Sequence, residues 1–567
     1  MHLFLAFFLI RLALALSSSN QQEPLLGPHP SPTHGAVASE NGVCSQIGID
    51  LLRAGGNAAD ALVGTVFCIG VLDCHHSGVG GGGFALARSP NGHHYESIDF
   101  RETAPAAADV DMFHHNIQGS LFGGLASGVP GEARGLEYIH SKHGRLGWKT
   151  VMAPAIELAR EGFVVSADFA MAMDLYTKYT GVDPFSTDPT WAVDFAPNGT
   201  RVGKGDVMTR ERYADTLETI ADRGADAFYQ GEMAEDMVKA VRKSNGSMTV
   251  DDLKAYHVRS REPVKIDYKG YQIYGCGVPA SSAVTLSALK ILENYDDYQD
   301  KELMNLGMHH MTEAMRFGYG KRASLGDPDY VDGMHEFEAE MLSEEFANVT
   351  RHQISDRHTL NVSAYDPQGF EINEDHGTSH VVTADASGLA FSLTTTVNLF
   401  FGSRVMVPET GVIMNDEMND FSIPNIPNAF GYYPSPANYV KPRKRSLSSI
   451  SPIIITHPNN TLYVVLGASG GSKIITATLQ NALHILEGGM NLEAALKQPR
   501  LHDQLIPNVA VFEQTFEKEI VDFMRGRMHN VTWAATAGSS AQAIRIVDGQ
   551  WEAEGEPRQV DSKGLVT

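Results

Sequence analysis

The chain has 567 residues and a formal net charge of -24, from 68 acidic against 44 basic side chains. That surplus repels phosphate backbones and anionic lipid surfaces, which excludes nucleic acid as a partner. Hydrophobic residues make up 43% and charged residues 20%, enough apolar material for a sizeable core and incompatible with global disorder.

Residues 1–17 are almost wholly apolar apart from Arg11 and turn polar from Ser17. The stretch is shorter than the ~20 residues needed to span a bilayer. Ala13-Leu14-Ala15 or Ala15-Leu16-Ser17 offers a small-x-small cleavage site, so it reads as a secretory signal peptide, with an uncleaved anchor as the alternative. Membrane attachment follows only if the segment is retained. Prolines at 24, 28, 30 and 32 make 18–34 an extended linker. Sequons at Asn198, Asn245, Asn348, Asn361, Asn459 and Asn530 fit surface glycan acceptors on a secreted chain.

The folded body begins near Gly35. Ile47, Leu51 and Leu52 predict a helix over Cys44–Arg53 that Gly55-Gly56 stops, and Ala58–Leu72 reads as a second, very apolar helix. Four cysteines exclude a disulfide scaffold. A zinc site at Cys74, His75 and His76 lacks the second Cys-rich half it would need. A glycine-rich turn at 78–83 leads into a strand at Phe84–Ala87. Glycine runs also mark phosphate loops, but no Lys-Ser/Thr follows, which favours tight backbone packing. The doublets His93-His94, His114-His115 and His309-His310 read as surface or hydrogen-bonding residues.

Residues 150–345 carry mainly helical patterns, among them Ala214–Asp222, Met233–Ser244 and Ser282–Tyr295. After Thr378 the period changes. Strands are expected at Val381–Thr383, Ala390–Thr394, Ile453–Ile455 and Leu462–Leu466, then a helix at Ile475–Leu486. Thr394–Ser403 reads as a strand ending in a turn, and the basic cluster Lys441–Arg445 as a solvated loop. No internal repeat is present, and periodicity alone supports a mixed α/β protein.

The segment Asp375-His376-Gly377-Thr378-Ser379-His380 carries the most chemistry. A Thr hydroxyl is a weak nucleophile without an adjacent base. Cutting the chain before Thr378 frees an α-amine of pKa about 7.7–8.0 that can serve as that base. Gly377, lacking Cβ, leaves its carbonyl open to attack. Downstream lie Thr394–Ser403, Asn415–Phe421, Ser446–Pro452 and Gly467–Gly471. Upstream lie Gly35–Ser39, Gly55–Ala61, Ser77–Gly82, Arg101–Pro105 and Gly128–Gly131. In this order the set resembles the γ-glutamyltranspeptidase family of N-terminal-nucleophile hydrolases, and it covers nearly everything after residue 34.

The resemblance implies a four-layer αββα sandwich, of α+β class, formed by a large subunit, 35–377, and a small one, 378–567. Thr378 would be the nucleophile, Thr396 would hold its amine, and Gly470 and Gly471 would supply N–H groups to the oxyanion. Arg101, with Ser448 and Ser449, would take the α-carboxylate of a γ-glutamyl donor such as glutathione. On the opposite side Asn398, Glu417 and Asp420 would take its ammonium. Transfer would run to water or to amino acid or dipeptide acceptors, without cofactor or metal. A Cys44–Cys68 disulfide is similarly implied, leaving Cys74 and Cys276 free. Phe430–Tyr433 fall in the family's lid region. Arg443 and Ser446 depart from its usual residues, which bears on the shape of the loop. The rival readings are an acylase of non-glutamyl amides and an unprocessed peptide-binding homologue.

Overall fold

The computed structural model describes residues 34–297, 303–366, 368–370, 377–425, 433–535 and 538–567. The expected signal segment, nearly all of the linker, Asp375, His376 and Phe430–Tyr432 lie outside the described residues.

Two antiparallel sheets face each other. The first has seven strands in the order Lys563–Val566, Gly35–Ser39, Thr378–Asp385, Ala390–Thr396, Gly82–Arg88, Tyr95–Asp99 and Arg259–Arg261. The second has six, Gln550–Glu554, Ser540–Val547, Leu462–Ser469, Ile453–Thr456, Tyr271–Gly275 and Val264–Tyr268. Leu462–Ser469 packs on Thr378–Asp385 and Ala390–Thr396. Helices Gly42–Arg53 and Ala58–Leu72 cover the outer face of the first sheet, and Ser282–Leu292 and Lys473–Leu486 that of the second. This is the expected αββα order. Every residue of Thr378–Asp385 and Ala390–Thr396 is buried, because both faces of these strands are covered.

Local signals account for most boundaries. Gly42–Arg53 starts before Cys44 because the Asn41 side chain accepts from the Val43 N–H at 3.0 Å. Ala58–Leu72 has the expected limits, with Asn57 and Asp60 forming a capping box. A Cys44–Cys68 disulfide joins these helices. Cys74 and Cys276 are buried thiols, which burial pushes up to about 11 and about 12; neither forms thiolate readily.

Two expectations change. The nominally helical 150–345 contains the hairpin Val264–Tyr268 and Tyr271–Gly275, whose turn residues Lys269 and Gly270 have φ of 43° and 88°, as a primed turn requires. The basic cluster is not wholly solvated. Lys444 is buried and donates to the carbonyls of Ala437 (2.6 Å) and Tyr439 (2.8 Å), while buried Arg445 pairs with Asp99 at 3.0 Å. Only Lys441–Arg443 are exposed. All six sequon asparagines are exposed.

His380, His484 and His502 are buried, and desolvation lowers them to about 3, 3 and 4. Below ~6.5 the unfolded chain takes up protons that the folded rings refuse, so their contribution to stability falls as pH drops from there toward 4. Each ring costs up to about 1.4 kcal/mol per pH unit. The His502→Gln variant should therefore lose stability less steeply than wild type across that window. Urea midpoints at successive pH values measure it, and equal slopes would refute the assignment.

Candidate functional site

The site forms where the head of Thr378–Asp385 meets the end of Ala390–Thr396. Their register places Thr378 opposite Thr396, and Thr396 opposite Gly82 on the next strand. Side chains alternate across a strand, so Thr378, His380, Thr394 and Thr396 share the face toward the second sheet. His380 Nδ1 bonds Thr394 Oγ1 at 2.8 Å on that face. On the other face, Thr395 Oγ1 donates to Glu132, which also accepts from Ser77 Oγ at 3.2 Å.

The glycine run answers the choice between a phosphate loop and tight packing. A Cβ on Gly80 would fall on the Ile413 carbonyl, one on Gly81 on the Thr396 carbonyl, and one on Gly83 on the Thr394 carbonyl. Gly81 thus lets the chain pass directly against the strand that carries Thr396.

Thr378 is buried, and its Oγ1 accepts from the Gly470 N–H at 2.8 Å. Gly470 and Gly471 have φ of 117° and 63°, a turn that L side chains seldom adopt, and it aims the Gly470 amide at the hydroxyl. Thr396 Oγ1 donates to the Gly377 carbonyl at 2.7 Å and accepts from the Asn398 N–H at 2.7 Å. In the uncut chain Thr396 therefore holds the carbonyl before Thr378, where the resemblance had it holding the amine.

Asn398, at φ 72°, donates from Nδ2 to the Asp416 carbonyl at 3.2 Å. Asp416 Oδ1 accepts from the Leu399 N–H at 2.9 Å. Asn415 binds the Gly80 and Gly128 carbonyls at 2.7 and 3.0 Å, and its Oδ1 accepts from the Glu417 N–H at 3.1 Å. These contacts fix the loop that presents Glu417 and Asp420.

Arg101 does not stand across from those acids. Its guanidinium pairs directly with Glu417 and Asp420, and all three are nearly inaccessible, at 1%, 2% and 4% side-chain exposure. Burial pushes Glu417 well above the usual carboxylate range, with Arg101 opposing it. Neighbouring Glu102 is pushed by burial up to about 8, and Glu132 up to about 7. Ser448 and Ser449 are buried as well. Ser449 Oγ accepts from Arg322 Nη2 at 2.9 Å, and Ser448 Oγ from the Ile450 N–H at 3.2 Å. Of the expected residues, Thr378, Thr396, Asn398 and Gly470 form one hydrogen-bonded group, and Arg101, Glu417 and Asp420 form an ion cluster reached through Asp416. Asn415, Asp416, Glu102 and Glu132 had no assigned role, although Asn415, Asp416 and Glu102 lie within the quoted motifs.

A family model described as Gamma-glutamyltranspeptidase matches residues 44–566. The glutathione hydrolase proenzyme of Arthroderma benhamiae is 52% identical, over 94% of this chain and 92% of its own. The crystal structure of a cephalosporin acylase from Bacillus halodurans superposes with a TM-score of 0.80 at 26% identity, covering 97% of this chain and 99% of that one. Helicobacter pylori γ-glutamyltranspeptidase superposes at 0.52 with 30% identity, covering 61% of this chain and 96% of that one.

Gly81→Ala should destabilise the fold, because its Cβ would meet a backbone carbonyl that has no rotamer to yield. Overpacking of this kind costs about 1–3 kcal/mol. The urea midpoint should fall accordingly, and an unchanged midpoint would show that the strands can part at no cost.

Proposed function

The chain belongs to the γ-glutamyltranspeptidase family, and we propose that it is a self-processing glutathione hydrolase and γ-glutamyl transferase with Thr378 as nucleophile. The observation that carries this is the Thr378 hydroxyl on the Gly470 amide, beside a Gly377 carbonyl polarised by Thr396. The proenzyme name of the Arthroderma relative supports processing. The 61% match to the Helicobacter chain is close to the share that 35–377 takes of this one.

In maturation, Thr378 Oγ attacks the Gly377 carbonyl carbon, the C–N bond breaks, and the acyl group passes to oxygen as an ester. Water then releases Gly377 as a carboxylate and leaves Thr378 with a free amine. The Thr396 hydroxyl donates to the developing oxyanion. The new amine takes the Thr378 hydroxyl proton in catalysis. Attack on the γ-glutamyl amide gives a tetrahedral intermediate to which Gly470 and Gly471 donate. The leaving amine, Cys-Gly from glutathione, departs protonated, and water or an amino acid or dipeptide amine takes the glutamyl group. This cycle draws on neither cofactor nor metal.

The buried ion cluster supports glutamyl recognition. Arg101 brings a guanidinium for a ligand's carboxylate, and Glu417 and Asp420, paired with it, bring carboxyl oxygens for the ligand's ammonium. Ser448, Ser449 and Asn398 complete the proposed pocket. An uncharged acyl group would engage neither sign of charge in this cluster, which argues against transferring the acylase activity of the Bacillus neighbour to this chain. The apolar N-terminus and six exposed sequons support entry into the secretory pathway with glycosylation, whether secreted, vacuolar or anchored.

Thr378→Ala should remain a single inactive chain. Thr396→Val should slow cleavage, and Thr396→Ser should restore it. A small chain whose N-terminus is not Thr378 would overturn the nucleophile assignment.

Because Arg101 also neutralises two acids, Asp420→Asn is a milder probe of recognition than removal of the arginine. Loss of one partner of a desolvated charge contact costs about 2–5 kcal/mol, so kcat/KM on glutathione should fall by that measure while cleavage proceeds. Wild type should discriminate against des-amino and des-carboxy glutaryl analogues to a similar degree. Equal cleavage of those analogues would favour the acylase reading.

A further inference from the structure

Far along the chain from the nucleophile, helix Met304–Arg322 presents His309 and Glu313 one turn apart on one face. His529, just before strand Val531–Ala534, closes on them. One ligand atom from each of His309, Glu313 and His529 lies within 4.8 Å of the other two, and all three residues are buried. His309 Nδ1 and His529 Nε2 are 2.8 Å apart, and His529 Nε2 is 3.8 Å from Glu313 Oε1.

The surroundings point these atoms inward. His309 Nε2 lies 2.7 Å from the Ser355 carbonyl, which can only accept, so the ring's proton is on Nε2 and its Nδ1 lone pair faces the centre. This matches the outer contact that orients a metal-bound histidine. Burial keeps His309 neutral, lowered to about 4. Glu313 Oε2 accepts from the Tyr365 hydroxyl at 2.6 Å, while buried Oε1 has no hydrogen-bond partner among the described residues. His310 is turned away to Asp297 and Asp356, at 2.5 and 3.0 Å. Arg316, one turn further, donates to Thr359 at 2.9 Å and to Asn508.

We propose that His309, Glu313 and His529 form a binding site for a divalent transition-metal ion of the zinc type. Two imidazoles and one carboxylate suit Zn²⁺, and bonds of about 2.0–2.1 Å in tetrahedral geometry place ligand atoms roughly 3.4 Å apart. The two separations at His529, 2.8 and 3.8 Å, bracket that value, and the third side of the triangle stays within 4.8 Å. With His309 protonated on Nε2, His529 Nε2–H donates to His309 Nδ1 at 2.8 Å; on binding that proton leaves Nε2 for Nδ1, so that both facing nitrogens and the Glu313 carboxylate can ligate. His309 and Glu313 precede Thr378 and His529 follows it. If the chain is cut there as proposed above, the ion bridges the two fragments; metal binding itself does not depend on that cut.

The test uses the full-length purified protein, exposed to Zn²⁺, freed of loose ion and measured by mass spectrometry of the metal. Wild type should retain about one zinc per chain, as expected for a single site, and His529→Gln and Glu313→Gln should retain none. Zinc should raise the thermal midpoint of wild type and a chelator should lower it, with no response in the variants. Equal retention by the variants, or none by wild type, overturns the assignment. Should the variants not fold, Co²⁺ added to wild type decides: visible ligand-field bands of a low-coordinate ion support the site, and their absence overturns it. Glutathione hydrolysis, assayed in parallel, tests the catalytic reading separately.

Discussion

Everything at the nucleophile depends on the register of one strand. Ala390–Thr396 pairs with Thr378–Asp385 on one side and Gly82–Arg88 on the other, so a single alignment brings Thr396 both to Thr378 and to the glycine run. A slip by one residue would turn Thr394 and Thr396 to the outer face and send Thr395 toward the second sheet. The close passage of Gly81 under the Thr396 carbonyl opposes such a slip. Thr395 reinforces it from behind through Glu132, and Thr394 from in front through His380. Three consecutive threonines thus have three distinct partners, although strand propensity alone would treat them as equivalent.

The second constraint is electrostatic. Removing a guanidinium and several carboxyls from water is costly, and the attraction between them offsets this only where the geometry is close. Arg101 meets Glu417 and Asp420, yet Glu102 stays buried beside them with neither oxygen hydrogen-bonded among the described residues. Such an arrangement is poor as a structural device, because well-packed apolar side chains would serve stability as well. Under the function proposed above, it presents both signs of charge to one zwitterionic ligand. Burial raises Glu102 to about 8 and Glu417 well above the usual carboxylate range, with Arg101 opposing both shifts.

Much of this was legible from local patterns. Ala58–Leu72 declared itself through a continuous apolar run, and Thr378, Thr396 and Gly470 through motifs whose order survives folding. The Val264–Gly275 hairpin was hidden by the helical segments around it, although the Lys-Gly turn between two alternating runs was a usable signal. Contacts between distant segments were not legible. Nothing near Arg101 specifies that its guanidinium should rest on Glu417 and Asp420, more than three hundred residues on, and motif order cannot say whether grouped charges face one another or a ligand. Ser449 with Arg322, and His309 with His529, belong to the same class: the partner is chosen by how helices stack on the second sheet.

The topology also orders events in time. Both sheets draw strands from either side of Thr378: Gly35–Ser39 and Gly82–Arg88 flank the strands that follow the nucleophile, and Tyr271–Gly275 pairs with Ile453–Thr456. The Gly377 carbonyl meets the Thr396 hydroxyl only after Ala390–Thr396 has paired, and the Gly470 amide reaches Thr378 only after the sheets have packed. The proposed cleavage is therefore a product of the finished fold. Once cut, neither fragment retains a complete sheet, so the hydrogen-bond ladders and the core between the layers keep them together, and the new amine at Thr378 stays within the site that produced it.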